Sequence, residues 1–166
     1  MRRFASALML AAALCAAVAD VGAAEPIRGF DAKSLEGIRA EHAGKPFVLA
    51  LWSVTCEPCR DDMQIIKAAQ KKFPGIAIHV VSADPPGEGR AIAAFLKRYD
   101  PGPVRRWAFA DDFSERVRYS IDPGWRGELP RTYLYDARHV PKAMSGKLDK
   151  ATFEAWLGAA WARPAE

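Results

Sequence analysis

Two cysteines stand three positions apart in the stretch Trp52-Ser-Val-Thr-Cys56-Glu-Pro-Cys59-Arg-Asp-Asp62, directly after the apolar run Phe47 to Leu51. Thiols so spaced can hold a metal, tether a haem, staple a turn or trade electrons with another disulfide. A zinc site needs about four ligands, yet the chain has 3 cysteines in all, and its 3 histidines, His42, His79 and His139, are scattered. Covalent haem attachment requires a histidine after the second cysteine, and position 60 is arginine. A structural disulfide closing so short a loop would restrict the unfolded chain little. Redox exchange is the chemistry that this spacing favours.

The elements around the pair decide what the two sulfurs can do. Phe47 to Trp52 is apolar at nearly every position, as expected of a central strand covered on both faces. Cys59 to Phe73 has helical spacing, with Met63, Ile66, Ala69 and Phe73 on one stripe. Pro74-Gly75 ends that helix, and Ile76 to Asp84 reads as a second buried strand. The three form a βαβ unit, whose crossover is almost always right-handed. Cys56 then lies at the strand-to-helix junction and Cys59 one turn inside. The unpaired N–H groups and positive dipole end of the helix favour a thiolate at Cys56, below the free-thiol value of ~8.5. The i, i+3 offset brings Cys59 to the same face, where it can attack a mixed disulfide on Cys56. Pro58 suits an early helical position, because its missing N–H would have no partner there.

The remaining elements are read the same way. Asp31 can cap a helix over Ala32 to His42 that turns Leu35 and Ile38 inward. Ala91 to Tyr99 carries Ile92, Phe95, Leu96 and Tyr99 at helical spacing. Val104 to Ala110 looks like a short strand. Asp111 to Ile121 reads as a helix with Asp111 or Asp112 near its N-cap. A loop rich in proline and glycine, Asp122 to Pro130, follows. Arg131 to Asp136 and Pro141 to Leu148 form two strands of a hairpin. Asp149 caps a last helix bearing Phe153, Trp156, Leu157, Ala160 and Trp161 on one face. The sum is an α/β chain: βαβ, an inserted segment, then ββα, with helices on both faces of a central mixed sheet.

Composition narrows the setting. The chain has 166 residues, 50% of them hydrophobic and 27% charged, which suits one globular domain with a sizeable core. A formal charge of +4 is too mild, and its basic residues too scattered, for nucleic-acid binding. Residues 1–24 have the three parts of a secretory signal peptide: Arg2 and Arg3, the apolar stretch Phe4 to Val18, and small residues at cleavage sites after Ala19 or Ala24. The apolar run is shorter than the ~17–25 residues of a spanning helix. Cleavage removes Cys15, leaving Cys56 and Cys59 in a domain over residues 25–166 that is expected to be exported.

The order "FVLALWSVTCEPC … ELPRTYLYD … GKL" resembles the exported TlpA-like and ResA-like thiol–disulfide reductases of the thioredoxin superfamily, over Phe30 to Trp161. That likeness implies a thioredoxin-like fold in which Cys56 is the attacking thiol and Cys59 the resolving one. It implies a cis peptide bond at Leu129–Pro130, with Leu129, Pro130 and Trp52 meeting an extended substrate segment. Glu57 and Asp62, the latter where relatives place a glutamate, would raise the thiol pKa and favour a reducing pair. Arg60, with Arg126 and Arg131 beside the proline loop, would push the other way. The cofactor is the redox-active disulfide itself, with no metal. The partners implied are a substrate protein and a membrane electron donor, the protein working as a periplasmic monomer that serves cytochrome c or copper-site maturation.

Several positions depart from the pattern. Ala50 stands where thioredoxins keep a buried aspartate, and Thr55 replaces the aromatic common before the first cysteine. Gln64 replaces the proline that usually kinks the active-site helix, so a straighter helix is predicted. A copper(I)-handling protein without turnover is the alternative, since two thiolates are soft ligands. Sco-like copper proteins, however, use a wider cysteine spacing plus a histidine.

Overall fold

The computed structural model describes residues 26–162. The expected signal peptide, residues 1–24, lies outside the described residues, as do residues 163–166. The element order is β1 (Ile27–Phe30), α1 (Ser34–Glu41), β2 (Phe47–Trp52), α2 (Glu57–Lys72), β3 (Ala77–Ser82), α3 (Gly89–Arg98), β4 (Arg105–Phe109), α4 (Ser114–Ile121), β5 (Arg131–Tyr135), β6 (Pro141–Ser145) and α5 (Lys150–Trp161). The strands form one 6-stranded sheet in the order β1-β4-β3-β2-β5-β6. β1, β4, β3 and β2 run parallel, and β5 pairs antiparallel with both β2 and β6.

The apolar run of β2 is explained by its central place. Every residue of it is buried, and successive side chains point to opposite faces. Val48, Ala50 and Trp52 join a core built with Cys59, Met63, Ile66 and Ala69 of α2, Phe95 of α3 and Phe153 and Leu157 of α5. Phe47, Leu49 and Leu51 join the other core, with Leu35 and Ile38 of α1 and Val117 and Ile121 of α4. Each large side chain buried this way contributes roughly 1.5–3 kcal/mol. Asp149 caps α5 as expected, accepting from Thr152 N–H at 2.8 Å. α2 runs unbroken for 16 residues, with Gln64 exposed on its outer side.

Other expectations shift. The segment ahead of Asp31, for which no element was expected, contains β1, which pairs with β4 at the sheet edge. α1 begins at Ser34 rather than Ala32, because Asp31 spends its carboxylate on Lys33 N–H and the Ser34 hydroxyl ahead of the helix. α4 likewise starts at Ser114, since Asp111 accepts from Phe113 N–H and from Arg116. The inserted segment does not stand off the fold: β4 sits in the sheet between β1 and β3.

The histidines lie around the start of β2. His79 is fully buried, and Trp107 Nε1–H donates to its Nδ1 at 3.1 Å. Its own proton must therefore sit on Nε2, which faces His42 Nε2 at 3.0 Å and donates to it. Burial, helped by the charges of His42 and two arginines, lowers His79 from 6.5 to about 3. His139 occupies the hairpin turn at φ 59° and hydrogen-bonds the His42 carbonyl at 2.9 Å. Among the described residues no helix is long and apolar enough to cross a membrane, and no group of three or more His, Cys, Asp or Glu is placed to hold a metal.

Candidate active site

β2 ends at Trp52 and α2 begins at Glu57, so Ser53 to Cys56 form the whole connection. Cys56 is the N-cap of α2, with extended backbone, and Pro58 follows in the first turn. The two cysteines are joined as a disulfide, with Cα atoms 5.4 Å apart. Their surroundings differ: Cys59 is 0% exposed within the core between α2 and the sheet, whereas Cys56 is half-buried at the rim. Of the two, Cys56 is therefore the one nearer solvent.

The Leu129–Pro130 bond is cis, as the resemblance implied. The sheet register sets Arg131 opposite Leu51, which places the entry of β5 beside the exit of β2. Leu129 is half-buried and packs against the same core cluster as Cys56. The Pro130 carbonyl accepts from Gly146 N–H at 2.9 Å, where a positive φ of 79° suits glycine. Trp52 is a correction. It is 1% exposed and stacks on Phe95 at 4.4 Å between ring centres, so it is a core residue with almost no surface to offer a substrate.

No family model matches the chain. A curated relative, the thiol-disulfide oxidoreductase ResA of Bacillus cereus, is 25% identical over 134 residues, covering 77% of this chain and 72% of that protein. A solved structure of a secreted Mycobacterium tuberculosis disulfide oxidoreductase, described as homologous to E. coli DsbE, matches with TM-score 0.58 at 15% identity. It covers 72% of this chain and 85% of that one. A secreted thiol-disulfide isomerase from Corynebacterium glutamicum matches with TM-score 0.60 at 16% identity, over 75% of both chains. At such identities the solved structures speak for the fold, while the curated relative and the cysteine pair speak for the chemistry. The chain is a thiol–disulfide oxidoreductase of the thioredoxin fold.

Acidic groups flank the cysteines of this oxidoreductase in two ways. Glu57 is exposed in the first turn of α2. With Pro58, Arg60, Asp61, Tyr99 and Lys147 it lines an open depression of about 490 Å³. Asp62 is 4% exposed, one turn beyond Cys59 on α2. Its Oδ1 accepts from Leu148 N–H at 3.0 Å and its Oδ2 has no partner. Burial raises its pKa from 3.8 to about 6, against the pull of the Leu148 N–H and Lys147. Asp62 is thus a buried carboxyl and not a solvated charge. Ala50, where thioredoxins carry a buried aspartate, is 5% exposed on the same side of the sheet, so α2 supplies the buried carboxyl here.

Two polar assemblies were missed from the sequence. Arg131 follows the cis proline and donates to Asp122 at 2.9 Å, Tyr133 Oη at 3.1 Å, Glu128 at 3.3 Å and Ser145 Oγ. Burial opposes ionisation of Asp122, but Gly124 N–H, the Tyr133 hydroxyl and Arg131 outweigh it and hold the carboxyl below its usual range. Arg131 is therefore a clamp on the Asp122–Leu129 loop, not a free cation beside the sulfurs. Arg131→Met should cost about 2 kcal/mol in urea unfolding, because it takes the charged partner from Asp122 and frees the loop that carries Leu129. The second assembly centres on Asp84, at the far end of β3. Neither had a sequence signal, since each is tied together by distant partners: Asp122 and Ser145 lie 9 and 14 positions from Arg131, and Val54 lies 30 from Asp84.

Proposed function

We propose that this thiol–disulfide oxidoreductase is exported and works in the periplasm as a reductase of protein disulfides, as a monomer with no cofactor beyond its own Cys56–Cys59 pair. The observation that carries the reading is the asymmetry of the pair: a half-buried cysteine at a helix N-cap, bonded to one that solvent does not reach. In the reduced protein the helix end favours the Cys56 thiolate. Pro58 has no N–H, so the Cys59 N–H is the first-turn donor left for that sulfur. The thiolate attacks one sulfur of a substrate disulfide and releases the other as a thiol. Cys59 then attacks the mixed disulfide, frees the second substrate thiol and leaves Cys56–Cys59 oxidised by two electrons. Asp62, on the same face as Cys59 with Oδ2 free, is placed to take the Cys59 proton. Leu129, beside cis Pro130, would pair by its backbone with an extended substrate segment.

The direction rests on charge. A carboxyl that ionises near pH 6 beside the resolving thiol makes the dithiol form harder to ionise, which favours the disulfide and hence a reducing couple. Glu57 adds a second negative group at the pair. Export is supported by the tripartite leader in the sequence and by the secreted proteins among the structural matches. The substrates would be exported proteins that need free thiols, apocytochrome c or copper-site proteins among them, with re-reduction by a membrane electron-transfer protein. Trapping tests the scheme. Cys59→Ala expressed with its leader should accumulate mixed disulfides through Cys56 that release a partner on reduction. If no exported thiol protein is captured, the reductase reading fails.

A further inference from the structure

We propose that Asp84 is a positioning residue for the Cys56 thiol. This rests on the reading of Cys56 as the attacking sulfur. The loop Ser53–Cys56 must deliver that sulfur to the helix N-terminus, and its backbone is held largely by polar side chains. Asp84 is 6% exposed. Its Oδ2 and Oδ1 accept the Val54 N–H at 3.0 and 3.3 Å. The same Oδ2 accepts the Ser82 hydroxyl at 2.6 Å, while Ser82 Oγ accepts Asp84 N–H at 3.2 Å. Ala83 N–H reaches the Trp52 carbonyl at 2.8 Å, so the ends of β2 and β3 are also tied together directly ahead of Asp84.

From Val54 the order passes to the cysteine through Ser53 and Thr55. Ser53 Oγ accepts Thr55 N–H at 3.2 Å and shares a hydrogen bond with Thr55 Oγ1 at 2.9 Å. Cys56 N–H closes on the Ser53 carbonyl at 3.1 Å. A carboxyl group held just past the end of β3 therefore fixes the turn that places Cys56, from a position 28 residues further along the chain. Without it the Val54 N–H loses its acceptor, and the N-cap sulfur can move off the helix axis on which its ionisation depends.

The test is the reaction of the reduced protein with a chromogenic aromatic disulfide at pH 7. Cys56 attacks one sulfur and releases one aromatic thiolate; Cys59 resolves the adduct and releases the second. Asp84→Ala should lower the second-order rate constant about tenfold, while Asp84→Asn, whose amide oxygen can occupy the Oδ2 position, should stay within about twofold of the parent. Asp84→Ala should also shift the equilibrium of the pair with glutathione, measured where circular dichroism shows the variant folded. A merely structural role would lower the unfolding midpoint and leave both the rate and the equilibrium of the folded protein unchanged; that result overturns the proposal. Should Asp84→Ala not fold, Ser82→Ala loosens the same carboxylate more gently, and a parental rate in that variant overturns the proposal equally. A parent protein inert toward the disulfide would instead sink the exchange reading beneath it.

Discussion

Replacing Cys56 with serine should remove disulfide exchange, on the order of 10⁴-fold or more, and leave the fold standing. The loss is large because no other sulfur can substitute. Cys59 is fully buried, and Cys15 lies in the expected leader. The fold survives because the site tolerates the change. Opening so short a disulfide loop costs about 2 kcal/mol in the chain-entropy picture. Serine is also among the best N-cap residues and can accept the Cys59 N–H, which returns about 1 kcal/mol. Turnover of an insulin-type disulfide, read beside a thermal melt, checks both halves. A folded serine variant with parental turnover would mean that the reactive group is elsewhere.

Asp62→Asn should stabilise the protein at pH 7 by about 3 kcal/mol, the equivalent of the roughly two-unit rise in the carboxyl pKa. At that pH Asp62 is ionised in folded and unfolded chains alike, and only the folded one bears the burial penalty. As pH falls through about 6 the folded protein takes up the proton first, so Asp62 adds stability down to its unfolded value of 3.8. His79 works in the opposite sense. Its folded pKa of about 3 lies below the ordinary 6.5, so the unfolded chain protonates first and stability is lost as pH falls from 6.5 towards 3. The two slopes oppose each other between about pH 6 and 4. In Asp62→Asn the histidine slope stands alone, and the variant's advantage should vanish as pH drops below 4. Urea unfolding from pH 8 to 4 measures the difference curve, and a constant offset would mean that Asp62 is not the titrating group. The same variant should resolve mixed disulfides more slowly, because the free Oδ2 is gone. Stability gained and reactivity lost together would mark Asp62 as a group kept for chemistry at the expense of the fold.

What the sequence made legible follows from the range of the interactions involved. The cysteine pair, the helix behind it, the doubly covered β2 and the Asp149 cap are local patterns, and each stands where its spacing placed it. β1 was missed because four residues with one buried side chain carry no readable period. Its pairing with β4 joins segments almost 80 positions apart. The caps of α1 and α4 were set too early for a different reason. Aspartate bonds backbone N–H groups in turns as readily as at helix starts, and Asp31 and Asp111 do the former. Trp52 shows the limit of a motif: a residue near the cysteines in sequence is buried because β2 is covered on both faces. Asp84 and Arg131 lie outside any window around the cysteines, and Asp84 reaches Val54 across 30 positions of chain.

The reduction potential of Cys56–Cys59, from equilibrium with a glutathione buffer of known composition, tests the central claim most directly. A protein built to reduce others should give about −250 mV or lower, in the range of thioredoxin, whereas a value near −120 mV, typical of a strong oxidant, would contradict the account.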